Sequence, residues 1–354
     1  SKDTMMKSRM KSMIAMLSLA FPLVLTAAGP SAEEMAFYKA YKNGAQAKEC
    51  LRVVDQDGMP VFGAKIDGGI QTGDGYNDYT PIRGATDTNG EFVVQGKCTN
   101  RIRCGITLDG YYASEFVLPN YASRHTFRDG KWHPYGSQHT VVLKKIIDPQ
   151  PMIFHDERTS FKVPAYEEWV GFDCEKFGFV APYGKGAAKD MLLRFTLKNP
   201  TTDDYHMTME VSFTNNPYAG AYEMDRARMS EFESVYHADT NAVYRQAFVY
   251  SFDQSPVKTP EYTTQLKSDK YLVFRTRTKV DAEGRLVSAL YGKIYGDWNF
   301  VGPGGMSMAQ FVFNPRPNDT NLEDEHTAEY SRMQQKQREA PPYKKKHKKF
   351  RLFQ

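Results

Sequence analysis

The loop Gly73-Asp74-Gly75-Tyr76-Asn77-Asp78-Tyr79 sets two carboxylates, an amide and two phenols on a glycine frame. That composition suits hydrogen bonding to a polar ligand with rings stacked against it. A second aromatic group, Trp132 and Tyr135, stands among His125, His133 and His139, and such rings suit the apolar face of a sugar. Asp74, Tyr76, Tyr79, Trp132 and Tyr135 are therefore the expected ligand contacts. The competing readings are a plain surface loop for the first group and packing across a domain junction for the second.

Other chemistry finds less support. His125, His133 and His139 are separated by eight and six residues, which fits no compact ligand pair on a helix or strand face, so no metal and no cofactor are expected. Asp55-Gln56-Asp57-Gly58 and Asp87-Thr88-Asn89-Gly90 open like calcium loops but lack the later acidic ligand; turn chemistry explains both. Gly302-Pro303-Gly304-Gly305 and Tyr183-Gly184-Lys185-Gly186 lack the Gly-Lys-Ser/Thr ending of a phosphate cradle. There is no Gly-x-Ser-x-Gly turn, and acidic residues are too numerous to single out a catalytic pair. No catalytic residue is assigned.

The elements that must position these side chains read as strands. Asp-Gly and Asn-Gly pairs punctuate short apolar runs at Cys50–Val54, Val61–Ile66, Glu91–Val94, Ile102–Leu108, Glu115–Leu118 and Thr140–Lys144. Prolines 149 and 151 mark a linker. Beyond it, Tyr205, Met207, Met209, Val211 and Phe213 alternate with His206, Thr208, Glu210 and Ser212, the pattern of a half-buried strand. Asp281-Ala282-Glu283-Gly284 reads as a hairpin turn with glycine in the left-handed position. Helices are expected over residues 33–47, 224–235 and 323–339. The fold class is all-β: an Ig/transthyretin-like β-sandwich over 48–146, then a larger β-sandwich or jelly-roll over 152–322 and a charged tail over 323–354.

On the run Asp55 to Ile66, Thr86 to Phe92 and Asp109 to Tyr112, the stretch from 48 to about 145 resembles the carboxypeptidase regulatory-like module, a transthyretin-like β-sandwich common in exported bacterial proteins. The resemblance implies a non-catalytic spacer or binding domain and brings no active-site residues. The segments 143–146, 180–186 and 314–319 are similar to segments of uncharacterised exported bacterial proteins that carry the same module.

Lys7, Arg9 and Lys11 followed by an apolar stretch from Met13 to Leu25 read as a signal peptide, with cleavage after Ala28 preferred and Ala32 second. A membrane anchor is the competing reading, disfavoured because the apolar run is shorter than a spanning helix. Removing 1–28 takes four basic residues and one acidic residue from the formal charge of +4, leaving +1. Six of the remaining positive charges crowd Lys344 to Arg351, so the body from 29 to 343 is near −5, and nucleic acid is not an expected partner. With four cysteines in a chain expected to be secreted or periplasmic, disulfides are allowed, and Cys98 with Cys104 is the favoured pair among three connectivities. The expected function is non-catalytic binding of a polysaccharide, an envelope component or a protein. A structural spacer or assembly subunit, and a glycan-active enzyme without a visible motif, are the alternatives.

Overall fold

Alternation of apolar and polar residues generates the strands, and two apolar cores collect their inward faces. The computed structural model describes residues 30–339 apart from 74–77, 156–159, 200, 202, 214–216, 228, 264–268, 297, 301 and 309. Helix α1 (Ala32–Asn43) opens on a capping box, in which Ser31 Oγ accepts from the Glu34 amide and Glu34 reaches back to the Ser31 amide. Strands β1 (Ala45–Asp55), β2 (Lys65–Gln71), β3 (Tyr79–Ala85), β4 (Glu91–Cys98), β5 (Ile102–Thr107) and β6 (Ser114–Leu118) follow. After the one-turn helix α2 (Tyr121–Arg124) come β7 (Thr126–Arg128), β8 (Lys131–His133) and β9 (Ser137–Leu143). They form a five-stranded sheet β4-β1-β8-β7, with β9 parallel to β1, and a four-stranded sheet β3-β2-β5-β6. Leu51, Val53, Ile66, Ile70, Ile106, Phe116 and Trp132 are among the side chains between them.

The second set comprises β10 (Ile153–His155), β11 (Ser160–Lys162), β12 (Trp169–Asp173), β13 (Gly178–Phe179), β14 (Met191–Lys198), β15 (Tyr205–Phe213), β16 (Gly220–Asp225) and β17 (Ala247–Gln254). It is completed by β18 (Glu261–Thr263), β19 (Lys270–Val280), β20 (Leu286–Ile294), β21 (Trp298–Phe300), β22 (Gly305–Met308) and β23 (Phe311–Asn314). A six-stranded sheet β13-β12-β14-β15-β17-β18 faces a five-stranded sheet β10-β23-β20-β19-β16, with a three-stranded sheet β11-β22-β21 beside them. Phe172, Met191, Leu193, Phe195, Met207, Met209, Tyr250, Phe274, Phe311 and Phe313 fill the space between. The chain is all-β and sandwich-like, as its alternation predicts.

One turn device recurs. Asp55 Oδ1 accepts from the amides of Asp57 and Met59, Asp87 Oδ1 from Asn89 and Glu91, and Asp281 Oδ1 from Glu283 and Arg285. In each turn a glycine, Gly58, Gly90 or Gly284, takes a positive φ of 79°, 73° or 79°. The carboxylate oxygens that invited a calcium reading thus serve backbone amides.

Two sequence expectations are corrected here, and the expected C-terminal helix is found. Cys98 and Cys104 are not bridged: Cys98 ends β4 in one sheet, Cys104 lies in β5 of the other, and both are buried free thiols, as is Cys174. The described residues of 224–235 are not helical; β16 runs into them and a turn follows. The C-terminal helix α3 (Glu325–Glu339) packs on the first sandwich through Thr327, Ala328, Ser331 and Gln335, a polar stripe that alternation cannot reveal. Gln335 Nε2 donates to the carbonyls of Leu108 and Tyr111, and Arg338 to that of Asp67.

Where β9, β20, the 230–236 segment and the start of α3 meet, two lysines are buried. Lys293 Nζ donates to Leu322 O at 2.7 Å and Ser234 Oγ at 3.1 Å and pairs with Asp324 at 3.2 Å. Lys144 Nζ donates to Ser234 O, with the rings of Phe232 and Tyr236 at 4.4 and 4.9 Å. Glu323 accepts from the Tyr112 hydroxyl and from the amides of Ile147 and Asp148. Burial and the Lys293 charge hold Lys144 at about 8, against 10.5 for an ordinary lysine, and burial pushes Lys293 down as well.

This junction gives stability a defined pH profile. Between pH 8 and 10.5 the unfolded chain keeps a proton on Lys144 that the folded chain has released, so stability rises with pH. The buried thiols oppose it as the pH nears 9.0 and beyond: Cys98 and Cys104, pushed up to about 12 by burial, and Cys174, pushed up by its burial, stay protonated in the fold while unfolded thiols ionise. The difference in unfolding free energy between wild type and Lys144→Met, from urea titrations, is expected to shift by roughly 1 kcal/mol in favour of wild type from pH 8 to 9. A difference that does not change with pH would remove Lys144 as a source of the pH dependence.

Candidate functional site

Among the described residues, Trp132, Tyr135 and Tyr79 of the expected ligand contacts do not converge. Trp132, in β8, is fully buried: its indole packs edge-on against Phe37 and Phe127, and Nε1 donates to Cys98 O at 2.8 Å. The ring that was expected to stack on a sugar is a core ring, because β8 pairs with β1 and turns it inward beneath α1. Tyr135 is half-buried between β8 and β9, with the Lys131 ammonium 5.0 Å from its ring centroid. Tyr79 starts β3, in the other sheet, and remains 38% exposed. Asp74 and Tyr76 lie outside the described residues.

The sequence reading missed Glu49. On β1 it occupies the inward register shared by Ala45, Ala47, Leu51 and Val53, and it is fully buried. Its Oε1 accepts from the Tyr121 hydroxyl, and its Oε2 sits 2.6 Å from His139 Nε2. His125 Nε2 lies 3.9 Å from Oε1, and the His125 ring stacks on Tyr121 at 3.8 Å between centroids. Burial, then the hydrogen bond to Glu49, push the Tyr121 phenol well up, so it stays a donor to the carboxylate. Two of the three loop histidines noted in the sequence therefore meet around one carboxylate, while His133 instead stands beside Tyr135, with ring centroids 6.4 Å apart. Counting parity along β1 would have exposed Glu49 as a charge on a core face. Both carboxylate oxygens are engaged by protein groups, and the cluster pins α2 and β9 to β1.

Other buried charges are arranged the same way. Arg277 spans Asp190 at 2.9 Å, Asp173 at 3.1 Å and Glu175 at 2.6 Å. Asp173 also accepts from the amides of Glu175, Lys176, Ala187 and Ala188, closing the loop around β13.

No family model and no curated protein matches the chain. Among solved structures it is similar to a DUF3823 family protein from Parabacteroides merdae, at 13% identity and a TM-score of 0.19, over 79% of this chain and 99% of that one. It is also similar to a streptococcal ancillary pilin, at 14% identity and a TM-score of 0.21, over 63% of this chain and 59% of that one. A similarity to 3-chlorocatechol 1,2-dioxygenase from Rhodococcus opacus, at 12% identity and a TM-score of 0.23, covers 30% of this chain. The chain spans 62% of the length of that dioxygenase. Likenesses at these TM-scores carry no argument about activity. No helix among the described residues is long and apolar enough to cross a membrane.

Trp132→Ala is expected to cost about 3–5 kcal/mol of stability as a large buried ring is lost. Glu49→Ala is expected to cost about 2 kcal/mol or more, since the Tyr121 hydroxyl and His139 lose their acceptor. Tyr79→Ala should stay within about 0.5 kcal/mol. Denaturant midpoints of the three variants check the order; a Trp132 variant as stable as wild type would return that ring to the surface.

Proposed function

We propose that the protein is a non-catalytic recognition protein of the cell exterior, which binds a polysaccharide or an envelope component through its β-sandwiches. The observation that supports this reading is the use made of buried charge. Glu49 is held by Tyr121 and His139, Asp173 and Asp190 by Arg277 and backbone amides, and Lys293 by Asp324, Ser234 and Leu322. A catalytic carboxylate or lysine needs an atom directed at substrate, whereas these groups are spent on segments of their own chain. Buried, saturated polar networks rigidify a fold, and a rigid scaffold favours binding by limiting the entropy lost on association.

The full-length protein is expected to be retained, saturably, on at least one member of a panel of insoluble polysaccharides and isolated envelope fractions. No reducing ends should be released on prolonged incubation. Release of reducing ends above a heat-inactivated control would replace recognition with glycan cleavage. Failure to bind every member would overturn the recognition reading in favour of an assembly subunit.

A further inference from the structure

The outward side of the six-stranded sheet differs from an ordinary solvated face. Along β14, β15 and β17 the inward residues Leu193, Phe195, Met207, Met209, Tyr250 and Phe252 enter the core, and the alternate residues form rows across the strands. In one row Trp169 pairs with Arg194, Arg194 with Glu210 and Glu210 with Val249. In the next, Thr196, Thr208 and Ser251 are neighbours. In a third, Lys198, His206 and Asp253 follow one another.

These side chains hold each other in place. The Arg194 guanidinium lies over the Trp169 ring at 4.9 Å from its centroid and meets both Glu210 oxygens, at 2.7 and 2.6 Å. His206 bridges Asp253 and the Thr208 hydroxyl. Trp169 nevertheless remains 43% exposed, and the side chains of Arg194 and His206 remain 37% and 35% exposed. The first row crosses four strands, about 14 Å at the usual spacing of roughly 4.8 Å between strands, and that spacing is comparable to the length of one hexose.

We infer that this face binds a neutral polysaccharide chain lying across the strands, with the Trp169 ring stacked on one sugar and the Thr196, Thr208 and Ser251 hydroxyls, with Arg194 and Glu210, bonding to the sugar hydroxyls. The inference rests on the recognition reading above and names its site. An aromatic edge beside fixed donors and acceptors is what a pyranose, apolar on its faces and polar on its rim, requires. Charge argues against an acidic ligand: Arg194 and Lys198 are offset on the face by Glu210 and Asp253, and Glu261 stands beside Asp253 at the edge strand, so no positive field draws an acidic polymer. Hydroxyls and paired charges cover the middle of the face, where the interface with a second copy of the chain would need an apolar core.

The test uses the full chain, wild type, Trp169→Ala and Ser251→Arg, on insoluble neutral and acidic polysaccharides at low salt and at about 0.5 M salt, where surface electrostatics are screened. Thermal unfolding of each variant is run alongside. The expected result is retention on a neutral glycan that salt does not weaken, lost by roughly tenfold or more in both variants at unchanged melting temperature. Should both variants bind as wild type does, the site would be wrong while the recognition reading stood. Absence of wild-type binding to every member would overturn both. Retention on acidic glycans alone, abolished by salt, would overturn the neutral ligand. Self-association weakened by Trp169→Ala, without glycan retention, would make a second copy the occupant.

Discussion

The buried pair Lys144 and Lys293 is the constraint on which the arrangement of the two sandwiches depends. Placing two ammonium groups in one desolvated pocket is costly, and the cost falls only if each finds carbonyls, hydroxyls or a carboxylate in fixed positions. Those acceptors come from segments far apart in the chain: Ser234 after β16, Leu322 and Asp324 before α3. Phe232 offers its ring to both ammonium groups, and on the same segment Glu231 donates its amide to Ala113 O. If one of these segments moved, a buried charge would be left without a partner, which costs several kcal/mol. The penalty makes the docking of α3, the 230–236 segment and the end of β9 mutually dependent.

Asp324 illustrates how economically this is done. Its Oδ1 caps α3 by accepting from the Thr327 amide while its Oδ2 pairs with Lys293. The adjacent Glu323 gathers the Ile147 and Asp148 amides where the chain leaves the first sandwich. One dipeptide thus fixes the start of the helix, the link between the sandwiches and the pairing of a buried lysine. The helix can then dock with a stripe of Thr327, Ala328, Ser331 and Gln335, because its position is set by hydrogen bonds rather than by apolar area.

Sequence periodicity reveals interactions whose period is two residues and hides those whose separation is in the tens or hundreds. Alternation in Tyr205–Phe213 and the Asp-x-x-Gly turns at 55, 87 and 281 were legible because strand parity and turn geometry are local. The all-β class follows from them. Trp132 was not legible: whether a ring between two turns faces water depends on β8 meeting β1, 85 residues earlier at Gln46. The same holds for the thiols of Cys98 and Cys104, close in sequence but assigned to different sheets by a strand crossing. Glu49 lay between the two cases, since its parity marks it as inward while its partners, Tyr121 and His139, lie 72 and 90 residues on.

The outward face of the second sandwich turns this argument around. Alternation identifies His206, Thr208, Glu210 and Ser212 as the polar side of β15 but says nothing about what stands beside them. Register supplies that, by setting Thr196 and Ser251 against Thr208 and Arg194 against Glu210. A strand slip of one residue would exchange every member of these rows for a core residue, so the phenylalanines and methionines that fix the register within the core also fix the composition of the face outside it. The spacing of the half-buried, outward hydroxyls and the position of Trp169 at the end of its row are therefore consequences of core packing.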